Sequence, residues 1–242
     1  MLAILKQSKL YNYFMNFLNL KNYFYIMTNT FKKKSLNRIL QEIYSMEKTV
    51  DGFIVEFGAE ARSSKNFTNF VKLQDVKKFI YCDKIPKNNE TIEEDLEKKL
   101  NLEENTIDSI IIFNVLEHVF DAKNAFLEMN KCLKKNSGKI IGSTPFMHRI
   151  HAAPNDYNRY TKQYFEKILS ISNFKNIEVI NLGFGPFSNA YCMIFDYSKF
   201  VPLLSNILLT FCIIIDGIIN KIVKTETKDI YPVTICFSAE KR

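Results

Sequence analysis

Short apolar runs recur along this chain, and polar, turn-forming segments separate them. The runs are rich in Ile, Val and Phe, which is the pattern of buried strands. Between several of them the apolar positions follow a period of three to four residues, which predicts helices. Strands alternating with helices favour an α/β fold with a mainly parallel sheet covered on both faces. The predicted strands are 53–58, 78–83, 109–114, 139–144, 177–180 and 233–237.

Three segments have the periodicity of amphipathic helices. Residues 35–44 show helical spacing, and a second helix follows Asp121. Thr161 is an N-cap residue for a third helix over 162–170. No repeat or low-complexity linker divides the chain. We therefore expect a helical extension over 1–49 and one domain over 50–242, with an apolar helical insertion around 200–222.

Residues 201–219 form a long apolar stretch. Pro202, Asn206 and Asp216 interrupt it, so it falls short of the roughly 20 clean apolar residues that a membrane span needs. This pattern predicts a buried or interfacial helix and leaves peripheral contact with a membrane open.

The charge is unevenly distributed. The net charge is +7, and residues 1–50 hold eight Lys or Arg against two Glu. The run Lys32-Lys33-Lys34 is typical of a solvated helix face, and it also suits anionic lipid or a phosphorylated substrate. No aromatic-plus-basic module accompanies it, so no nucleic-acid partner is expected.

The five cysteines are odd in number and widely scattered. Neither a disulfide framework nor a zinc pattern fits them, which indicates a reducing compartment. We expect a cytoplasmic location, including the inner membrane surface.

Candidate cofactor-binding residues follow the first two strands. Gly58 is the single glycine of its loop, whereas a dinucleotide fingerprint has three, so a dinucleotide is disfavoured. A ligand without phosphates, such as S-adenosylmethionine, demands less of the loop, and a structural turn explains the glycine about as well. Asp83 ends the second strand, where a carboxylate can bind both hydroxyls of a ribose. Asp95 lies in an acidic stretch whose simpler interpretation is a solvated surface.

The segment Val115-Leu116-Glu117-His118-Val119 connects a predicted central strand to the helix that follows it. In open α/β sheets that edge is where ligands bind. A Glu-x-x-Glu-His motif can hold a divalent metal, but Asn114 replaces the first acid here. Two remaining ligands are too few for a magnesium site, so we expect no metal and a structural role for the pair.

Together these motifs resemble a known family. Strand–Glu-x-Gly, strand–Asp, Asp-Leu and residues 114–119 look like a class I S-adenosylmethionine-dependent methyltransferase. Residues 127–139 resemble the helix and turn of that family, and 231–233 its closing strand. Residues 143–161 are similar to a methyltransferase type 11-like subgroup found among glycan and cell-envelope biosynthesis enzymes. The resemblance implies a Rossmann-like fold with a mostly parallel seven-stranded sheet, helices on both faces and an antiparallel closing strand.

The resemblance also implies roles for individual residues, with S-adenosyl-L-methionine as the cofactor. Asp83 would hold the ribose, with Lys84 beside the adenine, and Asn114 would lie under the cofactor. The methionine moiety would be flanked by Glu56, Gly58 and Ala59, and the adenine edge by Asp95 and Leu96.

The loop after the fourth strand supplies candidates for the acceptor side. We predict His151 as a base or substrate anchor, Asp156 as its orienting partner and Tyr160 as a further catalytic or contact residue. His148 and Arg159 are predicted to contact an acidic or hydroxylated substrate. The alternative is that Asp156 and Arg159 form an ion pair that fixes the loop.

Two function classes remain open at this stage. One is an active methyltransferase acting on a small-molecule or glycan-type acceptor. The other is a methyltransferase-fold binding or scaffold subunit that has lost cofactor affinity, as the sparse Gly58 loop suggests. Either is compatible with a protein at the membrane surface, and the oligomeric state is not specified by these patterns.

Overall fold

The computed structural model describes residues 20–242, and the first part of the expected N-terminal extension lies outside them. Within residues 20–242, seven strands form one sheet, and six helices pack on its two faces. The strands are β1 Thr49–Phe57, β2 Lys72–Asp83, β3 Thr91–Glu93, β4 Ser109–Phe113, β5 Lys139–Pro145, β6 Phe174–Leu182 and β7 Thr234–Lys241. The helices are α1 Leu20–Phe31, α2 Leu36–Met46, α3 Ala122–Cys132, α4 Lys162–Ile171, α5 Pro186–Ser198 and α6 Pro202–Val223.

The strand order is β3-β2-β1-β4-β5-β7-β6, and β7 alone runs antiparallel to its neighbours. The chain leaves β1 towards β2 on one side and later enters β4 on the other side of β1. Such a reversal of strand order opens a crevice at the carboxyl ends of the strands. The predicted Rossmann-like fold with a mostly parallel seven-stranded sheet and an antiparallel closing strand is confirmed.

Two apolar cores cover the two faces of the sheet. On one face, α3 and α4 bury Phe126 and Phe165 against Phe237 of β7. On the other face, α1, α2, α5 and α6 enclose a second cluster around Tyr44 and Tyr191. The N-terminal helices are therefore part of the domain core rather than a separate appendage.

Local sequence explains the helix starts. Ser35 accepts from the N–H of Arg38, and Asp121 accepts from the N–H of Asn124 at 3.0 Å. Thr161 accepts from the N–H of Tyr164 at 3.3 Å, which confirms the predicted cap of α4. These bonds satisfy N–H groups that the first helical turn leaves without a partner.

The crossover from β1 to β2 contains only the 3₁₀ turn Phe67–Asn69 among its regular elements. The carboxylate of Glu56 organises this crossover by accepting from the N–H groups of Phe67 at 2.6 Å and Thr68 at 3.1 Å. The loop between Gly58 and β2 is therefore anchored to β1 by a buried side chain.

Candidate functional site

A cavity opens at the carboxyl ends of β1, β2 and β4, where the strand order reverses. Six of the eight predicted cofactor-binding residues and the predicted turn after β4 contribute to its wall. The loop after β5 covers one side of it through Ala153 and Pro154. The wall consists of Phe57, Gly58, Cys82, Asp83, Lys84, Glu94, Asp95, Leu96, Glu97, Asn114, Val115, His118, Val119, Ala153 and Pro154.

Gly58 lies at the point where β1 ends and the cavity begins. Its φ of +69° is in the left-handed region, which glycine adopts without strain. Its N–H donates to the carbonyl of Cys82 at 2.7 Å, and a Cβ here would lie 2.2 Å from Cγ2 of Val115. A glycine is therefore required at this position by both backbone conformation and space.

Asp83 ends β2 at the cavity wall, as predicted. Its Oδ1 accepts from the N–H of Ile85 at 2.8 Å, whereas Oδ2 has no hydrogen-bond partner within residues 20–242. The backbone carbonyl of Asp83 accepts from Glu94 at 3.0 Å, which ties β2 to the next stretch of the wall. One carboxylate oxygen of Asp83 thus remains available to a ligand.

Asp95 and Leu96 form the neighbouring part of the wall, and Leu96 is buried. Lys84 lies 3.3 Å from Oδ2 of Asp95 and donates to Glu97 at 2.9 Å. Burial raises the pKa of Asp95, but the N–H of Glu97 and the ammonium of Lys84 outweigh it and leave the pKa below its ordinary value. Lys84 therefore holds two acidic side chains at the rim.

Asn114 follows β4 and lines the floor of the cavity. Its side chain exchanges hydrogen bonds with Gln41 of α2, at 2.6 and 2.8 Å. Its φ is +56°, a conformation that Asn adopts more readily than most residues. The sequence patterns did not single out Gln41, because it is separated from Asn114 by 73 positions.

Glu56 and Ala59 do not line the cavity. Both oxygens of Glu56 are occupied by the backbone of Phe67 and Thr68, so this carboxylate supports the loop rather than facing the predicted methionine moiety. Burial raises its pKa. Ala59 is buried, and its N–H lies 3.3 Å from the carbonyl of Cys82.

The predicted pair His151 and Asp156 comes together beside the cavity. Nδ1 of His151 lies 3.3 Å from Oδ2 of Asp156, and the same oxygen accepts from the backbone N–H of His151 at 2.8 Å. The His151 ring packs edge-on against His118, which lines the cavity, with ring centroids 4.9 Å apart. The arrangement of a histidine and an orienting carboxylate is therefore present.

Arg159 belongs to the loop rather than to an open substrate surface. Its guanidinium binds both oxygens of Asp156, at 2.5 and 2.7 Å, and donates to the carbonyls of Asn158 and Arg149. This ion pair holds the pKa of Asp156 well below its usual range. Asp156 therefore makes both the ion pair with Arg159 and the contact with His151.

Tyr160 lies beneath the turn after β4, and His148 lies beside His151. The hydroxyl of Tyr160 is buried and donates to the carbonyl of Leu116 at 3.1 Å, so it supports the turn after β4. Burial raises the pKa of Tyr160, which keeps it protonated. Burial lowers the pKa of His148 to about 4, and its ring packs against His151 with centroids 4.8 Å apart.

Glu117 and His118 form a 3₁₀ turn with Leu116 at the entrance of the site. The carboxylate of Glu117 is fully buried, and within the described part of the chain neither oxygen has a hydrogen-bond partner. Burial raises its pKa to about 8. The carbonyl of Glu117 accepts from Tyr157 at 2.8 Å and Asn158 at 3.2 Å, so its backbone anchors the covering loop.

Comparison with known proteins identifies part of this architecture. Residues 59–141 match the family model described as a methyltransferase domain. The match begins just after Gly58 and ends within β5, so it includes the wall residues from Cys82 to Val119. No curated protein matches the chain.

Solved structures share the fold at low sequence identity. A chain of the complex between the Haloferax volcanii Trm112 methyltransferase activator and a methyltransferase aligns with a TM-score of 0.50 and 8% identity, over 84% of this chain and 88% of the other. Haemonchus contortus phosphoethanolamine N-methyltransferase 2, in complex with S-adenosyl-L-methionine, aligns with a TM-score of 0.48 and 14% identity over 83% of this chain. This chain covers 52% of that protein, about half its length.

Residues 59–141 therefore match a methyltransferase domain, and the chain has the fold of class I methyltransferases. The corresponding enzyme class is that of S-adenosylmethionine-dependent methyltransferases, and S-adenosylmethionine is the cofactor of that class.

Proposed function

We propose that this chain transfers the methyl group of S-adenosylmethionine to a small-molecule or glycan-type acceptor. One observation carries the proposal: Gly58, Asp83, Asp95, Leu96 and Asn114 come from four separate segments and meet at one cavity. That cavity lies at the reversal of strand order, where α/β folds bind their ligands. The matched methyltransferase domain supports the same interpretation.

The residues at the cavity fit this cofactor. The free Oδ2 of Asp83 suits a ribose hydroxyl, and the absence of a side chain at Gly58 leaves a cradle that a Cβ would close against Val115. The buried side chain of Leu96 supplies an apolar surface for an adenine edge. When bound, the cofactor supplies an electrophilic methyl group on a sulfonium and leaves as neutral S-adenosylhomocysteine.

His151 is the residue on the acceptor side that we propose acts as a base or substrate anchor. Its Nδ1 is oriented by Asp156, and its Nε2 faces the buried Glu117 at 3.9 Å. An oxygen or nitrogen nucleophile loses a proton as its new bond to carbon forms, and a positioned histidine can accept that proton. A glycan-type acceptor is supported by the resemblance of residues 143–161 to the glycan and cell-envelope subgroup. The hydroxyl groups of a glycan are also nucleophiles of the kind that a histidine base can deprotonate.

Calorimetry with S-adenosylmethionine and S-adenosylhomocysteine tests cofactor binding. We expect the wild-type chain to bind both and Asp83→Ala to bind at least tenfold more weakly, because Oδ2 of Asp83 has no hydrogen-bond partner among the described residues and is available to a ligand. Glu166→Ala, on the exposed face of α4, is the charge-matched control and should bind like the wild type. Absence of heat with the wild-type chain would leave the scaffold alternative.

The acceptor is identified by labelling. The chain is incubated with methyl-labelled cofactor and with separate polar, glycan and lipid fractions of a cell extract. We expect label in a hydroxylated small-molecule or glycan fraction. His151→Ala should lower the transfer rate about 10²–10⁴-fold, with cofactor affinity unchanged. Loss of cofactor affinity in His151→Ala would contradict its placement on the acceptor side.

We also propose that the protein binds a membrane surface through α6. By length and composition, α6 is the one helix within residues 20–242 that could cross a membrane. One of its faces is apolar and open to solvent, with side chains that are 52–73% exposed. These side chains are Leu203, Ile207, Phe211, Ile214, Ile218 and Ile222.

The opposite face of α6 is fixed to the domain, which favours a helix that lies on the bilayer over one that crosses it. Leu209 and Asp216 are fully buried, and Asp216 accepts from the N–H groups of Phe187 and Ser188 at the start of α5. A spanning helix would have to give up these contacts. The open face instead has the exposed apolar area that marks a membrane contact.

Basic residues flank this face. Lys221 and Lys224 are exposed near the end of α6, and Lys32 and Lys33 follow α1, which packs along α6. Each such lysine adds about 1 kcal/mol of attraction to an anionic leaflet. The cysteines are all unpaired, which supports a location at the cytoplasmic surface.

Vesicle flotation tests the membrane proposal. The triple variant Ile207→Asn, Phe211→Asn, Ile218→Asn changes only exposed side chains, so the buried face of α6 is preserved. We expect the wild type to float with vesicles of mixed zwitterionic and anionic lipid, and the triple variant to remain in the soluble fraction. The control carries Leu73→Asn and Ile171→Asn, at exposed apolar positions elsewhere, and should float. Equal flotation of all three would refute the proposal.

A further inference from the structure

Glu117 has an environment that hydrogen bonding within the described residues does not explain. Its carboxylate is completely buried, yet Oε1 and Oε2 both lack a hydrogen-bond donor. A buried polar group without a partner is costly, and a carboxylate is more costly than most. The missing partner is therefore expected to be a ligand of this site.

Two histidines face the same oxygen of Glu117. Nε2 of His118 and Nε2 of His151 each lie 3.9 Å from Oε1. His118 precedes α3, whereas His151 comes from the loop after β5, so the tertiary fold brings them together. The three ligand atoms all lie within 4.8 Å of one another.

The other ring nitrogen of each histidine is already engaged. Nδ1 of His118 lies 2.5 Å from the carbonyl oxygen of Asn155, and Nδ1 of His151 lies 3.3 Å from the carboxylate of Asp156. A carbonyl or carboxylate oxygen can only accept, so each Nδ1 carries a proton, and in the neutral ring the lone pair then lies on Nε2. This outer shell is the arrangement that orients metal-ligating histidines in proteins.

We propose that Glu117, His118 and His151 bind a divalent transition metal ion such as Zn²⁺, Co²⁺ or Fe²⁺. Two imidazoles and one carboxylate suit these ions, whereas Mg²⁺ and Ca²⁺ prefer oxygen ligands. In a tetrahedral site with bonds of about 2.1 Å, ligand atoms are about 3.4 Å apart, so the side chains need only small movements. The sequence did not predict this site because Glu117 and His118 supply two ligands only, and the third lies 33 positions further along the chain.

The position of the site gives the metal a role in the proposed methyl transfer. His118 is a member of the three-residue cluster and also lines the cofactor cavity. Three protein ligands leave a coordination position for an acceptor hydroxyl, whose pKa the metal would lower. With a metal bound, Nε2 of His151 would be a ligand rather than the base, and the hydroxyl proton would leave to water as the oxygen–methyl bond forms and the sulfur–methyl bond breaks. This role rests on the proposed function, whereas metal binding itself does not.

Metal binding can be measured directly on the chelator-treated, untagged chain. We expect one equivalent of Zn²⁺ by calorimetry, and visible absorption bands of four- or five-coordinate Co²⁺. Mg²⁺ should give neither heat nor protection against thermal unfolding. Glu117→Gln and His151→Ala should each weaken Zn²⁺ binding by at least 100-fold and abolish the Co²⁺ bands.

His148→Ala is the matched control, because His148 packs against His151 but is not one of the three ligands. It should keep the Co²⁺ bands. Thermal unfolding without metal checks that each variant is folded. No binding by the wild type, or binding that survives both Glu117→Gln and His151→Ala, would overturn the inference.

Cofactor calorimetry on the same metal-free chain separates this inference from the proposed function. Cofactor binding without Zn²⁺ binding would overturn the metal site alone. Zn²⁺ binding that is lost in the two ligand variants would support the site, even if the cofactor gave no heat.

Discussion

Gln41 and Asn114 exchange two hydrogen bonds between the N-terminal helix α2 and the floor of the cofactor cavity. Nε2 of Gln41 donates to Asn114 at 2.6 Å, and Nδ2 of Asn114 donates back at 2.8 Å. Gln41 also donates to Thr234 of β7 at 3.1 Å, so one buried amide connects three elements. Helix α2 therefore helps to position a residue of the cavity, although it lies outside the matched methyltransferase domain.

Replacing this amide should affect both stability and cofactor binding. Gln41→Met preserves the length of the side chain but leaves the amide of Asn114 without its partner. We expect a loss of about 1–3 kcal/mol in the free energy of unfolding, measured in urea, and weaker cofactor binding by calorimetry. Gln163→Met, on the exposed surface of α4, makes the same chemical change and should have no effect on either quantity. Unchanged cofactor affinity in Gln41→Met would show that α2 does not contribute to cofactor binding.

Gly58 should tolerate no side chain. Gly58→Ala would place a Cβ 2.2 Å from Cγ2 of Val115, in a backbone conformation with a φ of +69°. We expect destabilisation of about 1–3 kcal/mol, since both strain and overlap contribute, and a loss of cofactor affinity. Gly217→Ala is the control, because no atom lies within 4 Å of its added Cβ. In the middle of α6 that change should stabilise the protein by about 0.5–1 kcal/mol.

Much of the fold could be predicted because buried strands leave apolar runs. The runs of β1, β4 and β5 are buried almost throughout, and these strands were found close to their true positions. β3 was not assigned, because it has three residues and two of them are exposed. β2 begins six residues earlier than predicted, at Lys72, because its first half is exposed and has no apolar pattern.

The candidate site was harder to predict because its contacts join distant parts of the chain. Asp83 could be assigned to the cavity because it ends a predicted strand, whereas Asn114 was assigned through the family resemblance. The sequence did not reveal the hydrogen-bond and ion-pair partners that determine whether a side chain is available to a ligand. The side chain of Arg159 is of a type that contacts acidic substrates, but Asp156 and two backbone carbonyls already occupy its guanidinium.

Asp108 is expected to contribute stability that depends on pH. Its carboxylate accepts from Lys134 at 2.7 Å and from the N–H of Phe53 at 2.8 Å, which joins the start of β4 to β1. Burial raises its pKa, but these two partners outweigh burial and leave the pKa below its ordinary value. A carboxyl with a lowered pKa in the folded state stabilises the protein above its unfolded pKa, and this contribution is lost as the pH falls.

Asp108→Asn should therefore be less stable than the wild type at pH 7, and the difference should shrink below about pH 4. Solvent screens the partly exposed Lys134, so we expect a difference of about 1 kcal/mol. The measurement is urea unfolding of both proteins from pH 7 to pH 3. Glu166→Gln, at an exposed helical position, controls for the change in net charge. A difference that stays constant across this range would contradict the assignment.

Tyr160→Phe distinguishes support of the turn from participation in the reaction. The buried hydroxyl donates to the carbonyl of Leu116 at 3.1 Å, so its removal leaves that carbonyl without this donor and should cost about 1 kcal/mol of stability. The methyl-transfer rate should change less than about threefold, whereas loss of an acid or base would lower it about 10²–10⁴-fold. Tyr197→Phe, at a position that is 81% exposed, is the matched control. A large fall in rate, with cofactor affinity and stability unchanged, would indicate a catalytic role for Tyr160. Because the hydroxyl is buried beneath the turn after β4, such a role would require that turn to open during turnover.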